Sequence, residues 1–237
     1  AFALLAKISR RFRTDPGVHQ HIIDLMMRYG NKTHSKRIEA EYRILRRLEP
    51  REQSHIISLG ELYWTNGQKK KALATWKKLL KIGRSKGHGY YLLAEVYADH
   101  DMRQQATKAV EEALAREPYN SRFAKAYALM LEKYRLYANA LGQWRRILSK
   151  PGKKKSATLR EARRHIISLW ERAGRLKVEI ARLEKRFSAS PPDLQAGYFL
   201  AVVYLRHHRL KPAERVLLKL RAAQPKSVEA LVGLERV

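Results

Sequence analysis

The feature that most constrains this chain is a repetition at a constant interval. The stretch "HIIDL" at His21–Leu25 returns as "HIISL" at His55–Leu59, which sets a period of 34. Other columns keep the period. Leu25, Leu59, Leu93 and Tyr127 align, as do Met26, Gly60, Ala94 and Ala128, and Tyr29, Tyr63, Tyr97 and Leu131. Further along come Ile38, Ala72, Ala106 and Ala140, then Tyr42, Trp76, Val110 and Trp144. A last column holds Pro16, Pro50, Arg84, Pro118 and Gly152, which reads as a recurring helix stop. A period of this length means one supersecondary unit stacked many times.

Each unit divides in two. "QSHIISLGELYWTNG" carries Ile56, Leu59 and Tyr63 at helical spacing and ends at Asn66-Gly67. "KKKALATWKKLLKIG" then resumes with Ala72, Leu73, Trp76, Leu79 and Leu80. The unit is therefore a helix–turn–helix. Small residues fall where two helices approach closely. One such pair cannot bury its apolar faces alone, but stacked pairs can.

The period of 34 and the column order Leu, small, Tyr, then Ala, aromatic and Pro resemble the tetratricopeptide repeat family. The resemblance implies an all-α, right-handed superhelical solenoid of helix-turn-helix repeats. Residues 1–18 read as the second helix of a truncated repeat, and 19–152 as four regular repeats. Residues 153–193 read as a basic loop and a degenerate repeat. A regular repeat covers 194–227, with Leu200, Ala201, Tyr204, Ala213, Leu217, Leu220 and Pro225 in the expected columns, and 228–237 begins another. The first residues read as the middle of a helix, so the chain is expected to be a segment of a longer protein.

One interval breaks the period. Repeat starts at His19, Gln53, Gly87 and Ser121 keep it, but the start at Leu194 falls five positions beyond the second period after Ser121. The excess is expected in "SKPGKKKSA" (Ser149–Ala157), an exposed loop by its Pro, Gly and Lys content. A third "HIISL", at His165–Leu169, is out of phase, since three periods on from His55 is Ala157. Two registers are open behind it. Counting back from Leu194 puts Trp170 in the tyrosine column, Gly174 at the turn and Arg163 at the first buried column. Matching HIISL puts Trp170 in the small-residue column, where an indole clashes, and Ile166 at the first buried column. The first register is preferred.

Charge is the next constraint: 50 Lys+Arg against 22 Asp+Glu, a formal net charge of +28. That surplus exceeds what solubility requires and points to an acidic partner. The chain has no Cys, which excludes disulfides and thiolate chemistry. No apolar run approaches the roughly 20 residues of a transmembrane helix. Neither a cytoplasmic nor a periplasmic location is fixed by these features.

Candidate chemistry resolves into structure. His21 and His55 share a column, but no third ligand repeats with them, and a metal site needs several converging donors. His19 and His21, and His207 and His208, point different ways on a helix. Asp99–Asp101 ("DHD") reads as a turn. "GRSKGHG" (Gly83–Gly89) lacks the order of a phosphate-binding loop. Glu111 and Glu112 are adjacent on one helix, and no Ser/His/Asp set has support. No catalytic residue, metal or cofactor is assigned, and the chain reads as non-catalytic.

The resemblance places first helices on a concave groove and second helices on the convex side. Groove columns hold Ile23 and Met27, then Ile57, Glu61 and Trp64, then Tyr91 and Glu95, then Lys125, and Tyr198. This mixed, partly apolar lining suits a partner protein or peptide. The family's carboxylate clamp needs Lys and Asn where this chain has Ile23 and Met27, Ile57 and Glu61, Tyr91 and Glu95, so the clamp is absent. The basic charge lies on second helices and the loop, at Lys70, Lys71, Lys77, Lys78, Arg145, Arg146, Lys153, Lys154 and Lys155. The alternative reading is therefore polyanion binding, to nucleic acid or an anionic polymer such as an exported polysaccharide.

Overall fold

The computed structural model describes residues 2–29, 34–149 and 156–237. Among them there are helices and no strand. They gather into two compact units, Ala1–Phe123 and Ala124–Val237. In the first unit α1 (Phe2–Arg11) precedes three helix pairs: α2 (Pro16–Tyr29) with α3 (Ser35–Leu48), α4 (Gln53–Thr65) with α5 (Lys69–Trp76) and the short α6 (Leu79–Ile82), and α7 (His88–Asp99) with α8 (Arg103–Arg116). Helix α9 (Ser121–Lys133) begins at the boundary. The second unit continues with α10 (Tyr137–Ser149), α11 (Ser156–Arg172), α12 (Leu176–Phe187), α13 (Leu194–Arg206), α14 (Leu210–Ala223) and α15 (Val228–Leu234).

The turns inside the pairs fix the register. Gly67, Asp101, Arg135, Gly174 and His208 all have positive φ, between 53° and 74°. The first three keep the period of the sequence columns, Gly174 comes five positions late, and His208 follows at the period again. Each sits in the same hydrogen-bonded cap. The next residue donates its N–H five residues back, from Gln68 to Tyr63, Met102 to Tyr97, Leu136 to Leu131, Arg175 to Trp170 and Arg209 to Tyr204, all at 2.8–2.9 Å. The positive-φ residue itself bonds three residues back. This pair of bonds satisfies carbonyls that a helix end otherwise leaves open, and it requires one left-handed residue.

Trp170 thus stands four residues before Gly174, as Tyr63 stands before Gly67, Tyr97 before Asp101 and Tyr204 before His208. The register counted back from Leu194 is the one the chain adopts. Helix α11 has 17 residues where α4 has 13, and the difference lies ahead of the turn. Most of the excess in this unit is therefore one added helical turn rather than loop. Residues 150–155, including Lys153, Lys154 and Lys155, lie outside the described residues.

Packing follows the small-residue column. A Cβ on Gly60 would overlap the indole of Trp76 at its nitrogen, so the indole lies directly on the α4 backbone. Trp76 is fully buried and donates its N–H to the Ile57 carbonyl at 3.2 Å. The equivalent pairs are Ala94 with Val110, Ala128 with Trp144, Ile167 with Leu183 and Ala201 with Leu217, and all of these residues are buried. Burial of these faces supplies most of the favourable free energy that the helices cannot supply alone.

Two expectations are corrected. Pro16 does not only stop a helix: it opens α2, with the Asp15 carboxylate accepting the Val18 N–H at 3.3 Å. The helix expected from Lys69 onward is broken at Lys77–Lys78. There the bonding tightens to i→i+3, from Lys78 to Thr75, Leu80 to Lys77 and Lys81 to Lys78. The break lets α6 run against α7 at Gly89, where a Cβ would lie 2.5 Å from the Leu79 carbonyl oxygen.

Candidate functional site: the two helix faces

On the first-helix face of the first unit, Met27 is 59% exposed, Ile57 is half-buried and Glu95 is exposed. Glu61 accepts from His100 at 2.9 Å. Trp64 is half-buried, with ring centroids 5.6 Å from Trp76 and 4.5 Å from His100. Lys69 sits 5.1 Å over its ring. Two expected groove contacts are core residues instead. Ile23 is 1% exposed and Tyr91 is 5%. Tyr91 stacks on Phe123 at 5.0 Å, lies under Arg122 at 4.9 Å and donates to Glu95. That column is where neighbouring first helices close on each other. Burial, then the hydrogen bond to Glu95, raises the Tyr91 phenol above its usual range, so it stays neutral.

In the second unit Tyr198 is a third such correction, at 6% exposure, with its hydroxyl on Gln224 and Ser227 at 2.9 and 2.6 Å. Lys125 is half-buried and pairs with Glu161 at 2.7 Å. The open part of this face is a cavity of about 500 Å³ lined mainly from α11, α13 and α15, with Leu210 and Leu217 of α14 closing one side. Val202, Leu205 and Val232 give it an apolar floor, and Arg160, Arg164, Arg206 and Arg236 surround them. The carboxylate lining it, Glu229, is already held by Arg163.

On the second helices Lys70, Lys71, Lys77, Lys78, Arg145 and Arg146 are all exposed. None of these six enters an ion pair among the described residues, although Lys71 sits 5.6 Å over the Tyr63 ring. Lys78 is held below its usual pKa by partial burial and by repulsion from Arg46, Arg43 and Lys81.

Two buried polar clusters escaped the sequence reading. In the first unit Glu41, fully buried, accepts from Ser9 at 3.1 Å, contacts His19 Nδ1 at 2.6 Å and pairs with Arg37 at 2.8 Å. In the second, Arg163 is 1% exposed and donates to Glu229 and, at 2.9 Å, to Gln195. Its guanidinium carbon lies 4.8 Å from the Tyr198 ring centroid. The only hint in the sequence was the charge at a first buried column. As for the histidines, His21 is exposed, and His55 is buried beside Glu49 at 2.7 Å. Among the described residues no group of three or more His, Cys, Asp or Glu is placed to hold a metal ion. No helix among them is long and apolar enough to cross a membrane.

What carries both faces is a helix pair closed by one left-handed turn residue, returning at a regular period with small residues against bulky ones. The fold is of the tetratricopeptide repeat type. No family model and no curated protein matches the chain. Solved structures to which it is similar include MamA, at 17% identity over 72% of this chain and 88% of that one, TM-score 0.44. Another is YrrB, described as a TPR protein with an unusual peptide-binding site, at 16% identity over 99% and 100%, TM-score 0.37. A third is the C-terminal part of a TPR repeat-containing protein from Cytophaga hutchinsonii, at 11% over 98% and 93%, TM-score 0.43.

Proposed function

We propose that this tetratricopeptide-type array is a non-catalytic scaffold that binds a partner protein through its first helices. The observation that carries the reading is the cavity on α11, α13 and α15, where an apolar floor is surrounded by four arginines; Arg206 already pairs with Glu171 at 2.8 Å, and the lining carboxylate Glu229 is held by Arg163. An extended or helical partner segment with apolar and acidic side chains is complementary to it. In the first unit Met27, Ile57, Glu61, Trp64 and Glu95 remain the candidate contacts. Tyr91→Asp is a poor probe, because a buried tyrosine replaced by a charge disrupts the packing itself. Val202→Glu and Arg206→Glu are the better test, since they alter the lining with the core left in place. Capture of the partner should fall by about tenfold or more with either. Undiminished capture by both would exclude this face.

The second reading is polyanion binding through the second helices, and the repelling group of Arg43, Arg46, Lys78 and Lys81 favours it. A phosphate or sulfate chain would relieve that repulsion and release counterions. The protein should then be retained on heparin to high salt, with Lys77→Glu and Lys78→Glu together eluting earlier. Elution of the wild type at low salt would exclude this reading.

A further inference from the structure

The second-helix side of the second unit holds a cavity of about 560 Å³ between α10 and α12. Trp170 and Phe199 line it, with ring centroids 5.2 Å apart, together with Leu148 and Leu183. Arg145 contributes a cation from α10.

The repeat register explains why it is unfilled. At two positions of the tyrosine column the hydroxyl reaches back to the second helix of the preceding unit. Tyr63 hydrogen-bonds with Glu39 and Arg43, and Tyr204 donates to Glu184 at 2.5 Å. Arg145 lies three periods after Arg43, and the one lengthened period separates it from Glu184, so it holds the same column. Here the tyrosine is replaced by Trp170 and the facing residue is Arg145. An indole N–H and a guanidinium are both donors and cannot satisfy each other. Trp170 is 5% exposed, and its N–H has no acceptor. Arg145 is exposed and has no ion pair among the described residues. The one carboxylate in the lining, Glu179, is already taken by Arg175 at 3.1 Å and Arg182 at 3.3 Å. Arg145 and Lys185 thus line the cavity without an ion pair among the described residues, and no free carboxylate faces them, so the lining lacks an anionic acceptor.

We infer that this cavity binds a small amphiphilic anion, its carboxylate or phosphate head received by Arg145 and its apolar body lying on Leu148, Trp170, Leu183 and Phe199. The volume is that of a small-molecule site. It is separate from the first-helix face and independent of what binds there.

Isothermal titration of the full chain with dodecanoate, below its micelle concentration, tests this. One saturable site per chain is expected. Arg145→Gln should weaken it by about tenfold, the usual effect of losing a charge-assisted hydrogen bond. Trp170→Phe keeps an aromatic side chain but shrinks the apolar wall and should act in the same direction. A melting curve for that variant shows whether the fold is kept, and Arg145→Gln, an exposed change, does not depend on it. Arg146→Gln, one residue on and outside the lining, should leave binding unchanged. A parallel titration with dodecyl phosphate identifies the head: tighter binding assigns a phosphate, weaker binding a carboxylate. The inference is overturned if neither amphiphile saturates one site. It is equally overturned if Arg146→Gln weakens binding as much as Arg145→Gln, or if uncharged dodecanol binds as tightly as dodecanoate.

Discussion

Gly60→Ala should destabilise the first unit by about 2–3 kcal/mol in urea unfolding. Alanine is the better helix former by about 1 kcal/mol, so propensity alone predicts the opposite sign. Packing wins because the added methyl would overlap the Trp76 indole, and Trp76 is fully enclosed. Trp76→Val alone should cost about 3 kcal/mol or more through the cavity it leaves and the lost bond to the Ile57 carbonyl. The next repeat pairs Ala94 with Val110 in these same two columns, both buried. The double variant Gly60→Ala/Trp76→Val copies that solution and should cost much less than the two single changes added together. Strict additivity would mean that the two columns are not packed on each other.

Arg163→Ala in the second unit should cost about 3–5 kcal/mol, the range for breaking a buried ion pair from one side. The arginine ties α11 to Glu229 of α15 and Gln195 of α13. Its removal leaves the Glu229 carboxylate, 11% exposed, without its partner. Arg163→Met/Glu229→Leu removes both charges and keeps most of the volume, and should recover most of the loss. Thermal unfolding of the four proteins gives the coupling. A small cost for Arg163→Ala, or no recovery in the double variant, would show that the pair does not hold these helices together.

Arg163 also shows where sequence reading ends. The period, the proline column and the presence of an irregular unit were all legible, because apolar spacing and helix stops are local. The preferred register of the irregular unit was legible too, since Gly174 could be counted back from Leu194, and the positive-φ turn residues agree with it. That register put Arg163 at a buried column, which looked like a flaw until Glu229, 66 residues on, supplied the charge partner. Glu41 is the same case: an ordinary charged helix residue, paired with Arg37 one turn back, whose burial depends on Ser9 and His19 arriving from α1 and α2. Ile23, Tyr91 and Tyr198 failed as surface residues for a related reason. Their column faces the neighbouring repeat, and only the stacked structure decides how much of it stays open. The Lys77–Lys78 break was hidden because no helix-breaking residue marks it; it accompanies the close approach of α6 to Gly89.

A partner seated in the cavity on α11, α13 and α15 should leave the outer face of α14 free. A photo-crosslinking amino acid at Val202, which lines the cavity, or at Leu218, exposed on α14, separates the two faces directly when the partner is present. A crosslinked complex is expected from position 202 and none from position 218. Efficient crosslinking from 218 with none from 202 would contradict binding through the first helices.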